Sequence, residues 1–410
     1  METRVVECGT LLDGESEPVD DARLVVEAGR VADAGPREDV DAPDGAAVVD
    51  HGDATVTPGL VDAHVHLTGD RSMDPMTWVT ESTELGAARA TADLRRLLAA
   101  GFTAVRDVGS GTGLALRDAV ADGEVPGPRV YTSGRSISQT GGHGDSHMLP
   151  YEWADSESGI GTLADGADEC RKEARKRVRE GVDLIKIMTT GGVLSEKDAP
   201  DQSQFTDREI RAFTEEAHRV GIPVASHAQG APGVKAALEN GVDTVEHGFY
   251  LDEDCFDLFA ETDATFVPTL SIMHRLVTRG ADHGVPEYGL AKAEEAREAH
   301  FDATRRAYEA GVPIALGTDF IGPDLVPHGE NALEAELFVD EIGMSEREAI
   351  EAGTRVAART VPDDEFGTLT PGMRADFLAF EADPLSDVSA LRDPAAVYRS
   401  GERVDEGLGA

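Results

Sequence analysis

Lysine is nearly missing from this chain: only Lys172, Lys176, Lys186, Lys197, Lys235 and Lys292 occur in 410 residues, and every other basic residue is arginine. Basic charge as a whole is scarce. Against 37 Lys and Arg stand 79 Asp and Glu, giving a formal net charge of −42. That balance excludes a general nucleic-acid binder, which needs a basic footprint. The acid is spread along the whole sequence rather than gathered in a tail. Dispersed acid with little lysine suits a protein working in molar salt, where screening is nearly complete, so a halophilic, archaeal source is expected. Cysteine is also scarce: Cys8, Cys170 and Cys255 are odd in number and far apart, which argues against a disulfide framework or a zinc knuckle. No uninterrupted apolar run reaches the length of a membrane span. The N-terminus runs straight into strand-like sequence without the apolar core of a secretory signal, so a cytoplasmic protein is expected.

What is present is a patterned, apolar-rich chain long enough to bury a large core. In residues 1–57, Val5–Cys8, Arg23–Glu27 and Ala47–Val49 read as strands, with turns at Gly29-Arg30 and Pro43-Asp44-Gly45. Residues 366–410 return to the same style, with strands at Asp376–Phe380 and Val397–Arg399. The two ends are expected to join in one small β-sandwich. Between them, residues 58–365 repeat a unit in which a helix-like stretch ends at glycine and a short apolar strand follows. Gly101, Gly181, Gly221, Gly241 and Gly311 mark five such joints, each glycine supplying the left-handed position after a helix. With the strands at His64, Pro128–Thr132 and Thr265–Leu270 this makes eight, the number of a (β/α)8 TIM barrel. A doubly wound sheet is the alternative architecture.

Active-site groups of such a barrel project from the C-terminal ends of its strands. The first strand ends in His64-Val65-His66, two imidazoles on one face of a strand. The fourth carries Lys186, the fifth ends in His227, the sixth in His247 and the eighth in Asp319. Each can bind a metal ion or help to bridge two. Lys186 interrupts an apolar strand. A buried lysine has a depressed pKa, and its neutral amine can add carbon dioxide to become a carbamate that bridges two metals. The alternative is a lysine paired with Asp183 or Glu246.

Pro58-Gly59-Leu60-Val61-Asp62-Ala63-His64-Val65-His66 resembles the signature of the metal-dependent amidohydrolase superfamily. Gly317-Thr318-Asp319 and Thr370–Asp376 resemble its eighth-strand aspartate and its return to the sandwich. Ser138–Asp145 and Pro327–Asn331 resemble the imidazolonepropionase-related group that includes the Xaa-Pro dipeptidases (prolidases). The resemblance implies two divalent ions, zinc or else manganese, iron or cobalt. His64, His66 and Asp319 would hold one and His227 and His247 the other, with carboxylated Lys186 and a hydroxide between them. Asp319 would pass a proton from the attacking hydroxide to the leaving amine, and His143 would add a donor to the tetrahedral oxyanion. The expected reaction is hydrolysis of an amide in a small molecule, a dipeptide such as Xaa-Pro or an N-acyl amino acid. The expected assembly is a homo-oligomer, with no nucleic acid and no membrane as partner.

Gln229, Tyr250 and His328 are candidate substrate contacts, with ordinary loop packing as their alternative. His147 reads as a loop histidine. Arg135 and Arg275 are carboxylate clamps or surface ion pairs. His51, His218, His283 and His300 show no partner pattern. Two rival functions remain. One is a mononuclear cyclic-amide hydrolase or deaminase, although deaminases of this superfamily place glutamate where Gln229 stands. The other is a non-catalytic metal-binding scaffold, although none of the six ligands is missing.

Overall fold

The computed structural model describes residues 3–154, 160–193 and 197–406; residues 1–2 and 407–410, at the outer ends of the two β-rich stretches, lie outside them. The chain opens with β1 (Arg4–Leu11), β2 (Val19–Glu27), β3 (Arg30–Pro36), β4 (Ala47–Asp50) and β5 (Thr55–Pro58). The central part contributes β6 (Leu60–Val65), β7 (Phe102–Asp107), β8 (Arg129–Thr132), β9 (Ile137–Ser138) and β10 (Thr162–Leu163). It continues with β11 (Ile185–Met188), β12 (Val224–Gly230), β13 (Thr244–Tyr250) and β14 (Thr265–Val267). The chain closes with β15 (Phe377–Phe380), β16 (Ala396–Arg399) and β17 (Glu402–Arg403).

Both ends meet in a mixed eight-stranded sheet of order β17-β16-β15-β5-β1-β2-β3, with β4 also on β1. Alternation explains its layering: Val6, Cys8, Leu24 and Val26 face one apolar cluster, while Val5 and Val25 face another with Val40. The turn expected at Gly29-Arg30 is made one residue earlier, by Ala28 and Gly29, both at positive φ (52° and 81°). That geometry matches the twist of the β2–β3 hairpin and lets Arg30 start the strand.

The barrel is built in parallel. β6, β7 and β8 form one run, and β9, β11, β12, β13 and β14 another. Asp183 N donates to Thr132 O at 2.9 Å and joins the runs. The eighth position is an extended segment around residues 312–320. It bonds to β14 through Phe266 and to β6 through Ala63 N–Leu316 O and His66 N–Phe320 O, each at 2.9 Å. The ring is therefore closed, which sets aside an open doubly wound sheet. All five glycines that mark the helix-to-strand joints lie at φ between 78° and 88°, the left-handed geometry that ends a helix and frees the chain to turn into the next strand. Helices wrap the outside, and β6, β7 and β11 are buried along their whole length, as strands covered on both faces must be. Among the described residues no helix is long and apolar enough to cross a membrane.

Candidate metal centre

The parallel register brings the predicted residues to one end of the barrel. Lys186 pairs with Ala225, Met188 with His227, and Ala228 with His247, so each side chain leaves its strand near the same level. His64 and His66 leave the end of β6, and Asp319 N donates to His64 O at 2.7 Å, which sets Asp319 beside them. The imidazoles form an unbroken chain. Ring centroids are 5.4 Å apart for His66–His64, 5.1 Å for His64–His247, 4.5 Å for His247–His227 and 4.1 Å for His227–His143. These five, with Lys186 and Asp319, line one cavity of about 500 Å³.

His64 Nε2 and His66 Nε2 lie 3.4 and 3.0 Å from Asp319 Oδ1. The donor atoms of these three residues fall within 4.8 Å of one another. Each ring is held from behind. His64 Nδ1 meets Glu246 Oε2 at 2.7 Å and His66 Nδ1 meets Gly109 O at 2.9 Å. His247 Nδ1 meets Thr269 Oγ1 at 2.8 Å and His227 Nε2 meets Gly191 O at 3.1 Å. A bond at one ring nitrogen fixes the tautomer and presents the other as a lone pair.

Burial and the neighbouring cationic groups hold His227 well below the usual imidazole range; burial does the same for His247, outweighing the Asp319 carboxylate. Burial pulls His66 down, but the Asp319 carboxylate more than offsets it. Asp319 itself, although burial opposes it, is kept well below the carboxylate range by His64 and His66. An ionised carboxylate beside imidazole nitrogens is the donor chemistry that divalent zinc, manganese or iron accepts.

Lys186 is 2% exposed, and burial lowers its amine to about 8. Its Nζ has no hydrogen-bond partner among the described residues. The ion-pair alternative fails because both candidate carboxylates are engaged. Asp183 binds Arg117 at 3.0 Å and Thr132 N at 2.9 Å. Glu246 takes Arg106 at 2.8 and 2.9 Å as well as His64. A buried amine without a hydrogen-bond partner among the described residues, lining the same cavity as the imidazoles, fits a group open to further bonding.

Three non-glycine residues at this mouth have positive φ: His247 (78°), Thr269 (58°) and Asp319 (58°). Strain of this kind survives only where surrounding bonds over-determine it. Those bonds come from residues that the strand-end pattern does not single out. Asp62 accepts from His64 N at 2.9 Å, Thr318 Oγ1 at 2.7 Å and Asn331 Nδ2 at 2.7 Å, tying the first strand to the eighth. Glu334 accepts from Leu270 N and Ser271 N at 2.8 and 2.7 Å, fixing the turn that carries Thr269. Arg106, fully buried in β7, was signalled only by its place inside an apolar strand.

The weaker candidates divide. Gln229 is 3% exposed, lines the cavity and leaves its Oε1 without a partner among the described residues. His143, His147 and Arg135 also line the cavity. Tyr250 and His328 are not on its wall: Tyr250 ends β13 beyond it, and His328 sits behind His66 with Nε2 at 3.3 Å from His66 O. Arg275 is paired with Glu330. His300 contacts Pro268 O at 2.8 Å, behind the site. The rest of the wall combines apolar side chains, among them Trp78, Met148, Ile160, Phe249, Met273 and Leu276, with the acidic Asp70, Glu81 and Asp145.

Comparison with known proteins agrees with this geometry. The model of the amidohydrolase family matches residues 55–404. Ochratoxinase of Aspergillus niger is 32% identical over 96% of this chain and 84% of its own length. Its crystal structure superposes with a TM-score of 0.90 at 31% identity, covering 98% of this chain and 95% of the other. An Xaa-Pro dipeptidase with methionine bound in its active site gives 0.88 at 32% identity, covering 98% and 99%. Imidazolonepropionase of Paracoccus denitrificans is 28% identical over 93% of this chain and 91% of its own. With the histidine pair, the eighth-strand aspartate and the closed barrel all in place, the chain belongs to the amidohydrolase family and is a hydrolase acting on carbon–nitrogen bonds.

Proposed function

We propose that the chain is a binuclear metal-dependent hydrolase that cleaves the amide bond of a dipeptide such as Xaa-Pro or of an N-acyl amino acid. The observation that carries this reading is the buried Lys186 amine, without a hydrogen-bond partner among the described residues, opening on the same cavity as His64, His66, His227, His247 and Asp319. His64, His66 and Asp319 would hold one ion, His227 and His247 the other, and a carbamate on Lys186 would serve both. Zinc is the first candidate, manganese, iron and cobalt the alternatives. Such a pair of ions, when bound, supplies acidified water and a polarised carbonyl.

The chain's own groups do the rest. Asp319, kept ionised by His64 and His66, takes a proton from water as the new carbon–oxygen bond forms. It returns that proton to the nitrogen as the carbon–nitrogen bond breaks, so an acid and an amine leave. His143 donates an N–H to the oxygen that gains charge. The open acceptor of Gln229 receives an N–H of the substrate, and Arg135 faces its carboxylate. The apolar part of the wall takes the substrate's side chain or acyl group and keeps bulk water out.

A mononuclear reading, supported by the compact His64–His66–Asp319 group and by the imidazolonepropionase relatives, is the rival. The test is a panel of Xaa-Pro dipeptides and N-acyl amino acids with zinc- or manganese-loaded enzyme in high salt, together with metal analysis. Amide cleavage at about two ions per chain supports the binuclear reading; activity at about one per chain favours the rival.

A further inference from the structure

Two loops meet above the imidazole chain, one after β9 and one after β11. His143 N donates to Gln204 Oε1 at 3.0 Å. Gln204 Nε2 donates to Asp198 Oδ2 at 3.2 Å, and the other carboxylate oxygen of Asp198 accepts from Gly192 N at 3.0 Å. Lys292 Nζ, on the helix Glu287–Glu309, donates to Asp198 O at 2.8 Å and to Gly192 O at 3.3 Å. Gly192 is therefore held through both its own N–H and its own carbonyl. Its Cα packs directly against the His143 ring: a Cβ there would stand 2.3 Å from Cε1, 2.5 Å from Nδ1 and 3.0 Å from Nε2. The same ring stacks on His227 at 4.1 Å with an interplanar angle of 18°.

We propose that Gly192, fixed by Asp198 and Gln204, is a positioning residue that sets the His143 ring against His227 and so aims its N–H into the cavity. The inference rests on the reading of His143 as a donor to the substrate oxygen. Gly192 does not have a positive φ, so an alanine there is tolerated by the backbone, and its effect falls on the ring. Asp198→Asn acts on the same device by another route. An amide there offers one acceptor oxygen where the carboxylate offers two, so either the bond from Gly192 N or the bond from Gln204 Nε2 is lost.

The test has two readouts. Crystal structures of wild type and Gly192→Ala give the His143–His227 separation, which is expected to grow beyond 4.1 Å. Steady-state kinetics use the N-acyl amino acid or dipeptide of the panel with the highest kcat/KM. His143→Ala and Gly192→Ala are each expected to lower kcat by about 100-fold, the loss typical of an oxyanion donor, with KM and metal content held. In the His143→Ala background, adding Gly192→Ala is expected to cost less than about threefold, because the ring it displaces is gone. Asp198→Asn is expected to lower kcat in the same direction with His143 present and not without it. If His143→Ala damages kcat but Gly192→Ala leaves the ring and kcat unchanged, or costs as much with His143 absent, the positioning role is wrong while the donor role stands. If His143→Ala leaves kcat intact, the donor role falls, and the positioning role falls with it.

Discussion

The two halves of the candidate metal centre are built differently. In the half formed by His64, His66 and Asp319, the donor atoms already converge within 4.8 Å. A carboxylate frame locks them from behind: Glu246 on His64, Arg106 on Glu246, and Asp62 on the backbones of both strands. In the half formed by His227 and His247, no comparable group of three His, Cys, Asp or Glu forms among the described residues. Its back bonds go to a neutral hydroxyl and a carbonyl, Thr269 Oγ1 and Gly191 O, and its charged support acts one step removed, Glu334 through the turn at Leu270 and Asp198 through the Gly192 N–H of the peptide that carries Gly191 O. The difference teaches where a lysine is needed. On the proposed binuclear reading, the first half can be complete from side chains as translated, while the second lacks an anionic donor, which a carbamate on Lys186 would supply.

The largest expected effect breaks the second half alone. Lys186→Ala should leave no measurable turnover, and millimolar acetate, a carboxylate able to take the place of a carbamate, should restore part of it. Asp319→Asn comes next, with kcat lower by about a thousandfold, as expected when a general base is lost. Steady-state rates on the best substrate of the panel measure both. Glu246→Gln sharpens the contrast, since among the proposed ligands its hydrogen bond is to His64. Ion affinity there should fall by about 10–100-fold, read as loss of one ion class in competition with a chelator. Arg106→Ala leaves Glu246 buried without its cation and should destabilise the fold by about 3–5 kcal/mol in denaturant unfolding.

A smaller effect separates the halves by pH. Burial raises the Glu334 carboxyl to about 8, against the pull of its hydrogen bonds from Ser271 and Leu270. The unfolded chain ionises this group near 4.5 and the folded chain only near 8, so the folded state holds the extra proton in between. The stability it contributes is fully present below the lower value and is lost as pH rises through the upper. Glu334→Gln should therefore lose less stability than wild type over that interval, as thermal melts across pH would show. Salt should have the least influence on the contrast. With a net charge of −42, the unfolding midpoint should climb with potassium chloride as surface repulsion is screened, while the ratio of ions held by the two halves stays constant because both are buried.

The strand-end pattern located the ligand candidates because a parallel barrel puts equivalent positions of every strand at one rim, and the helix-ending glycines made that repeat visible. Lys186 was legible because lysine inside an apolar strand is costly. The frame behind the site was much less so. Glu246 reads as a partner for Lys186 until the fold delivers Arg106 from β7, 140 positions away in sequence. Glu334 and Asn331 come from a segment whose approach to Leu270 and Asp62 depends on how the last barrel units close. Tyr250 and His328 follow ligand positions in sequence, yet it is Phe249 and not its neighbour Tyr250 that reaches the cavity wall, and His328 folds back behind His66.

The binuclear claim is tested most directly by metal content measured by plasma mass spectrometry on wild type and Lys186→Ala purified side by side. The account predicts about two ions per chain in the first and about one in the second, retained by His64, His66 and Asp319. One ion per chain in both proteins would contradict it.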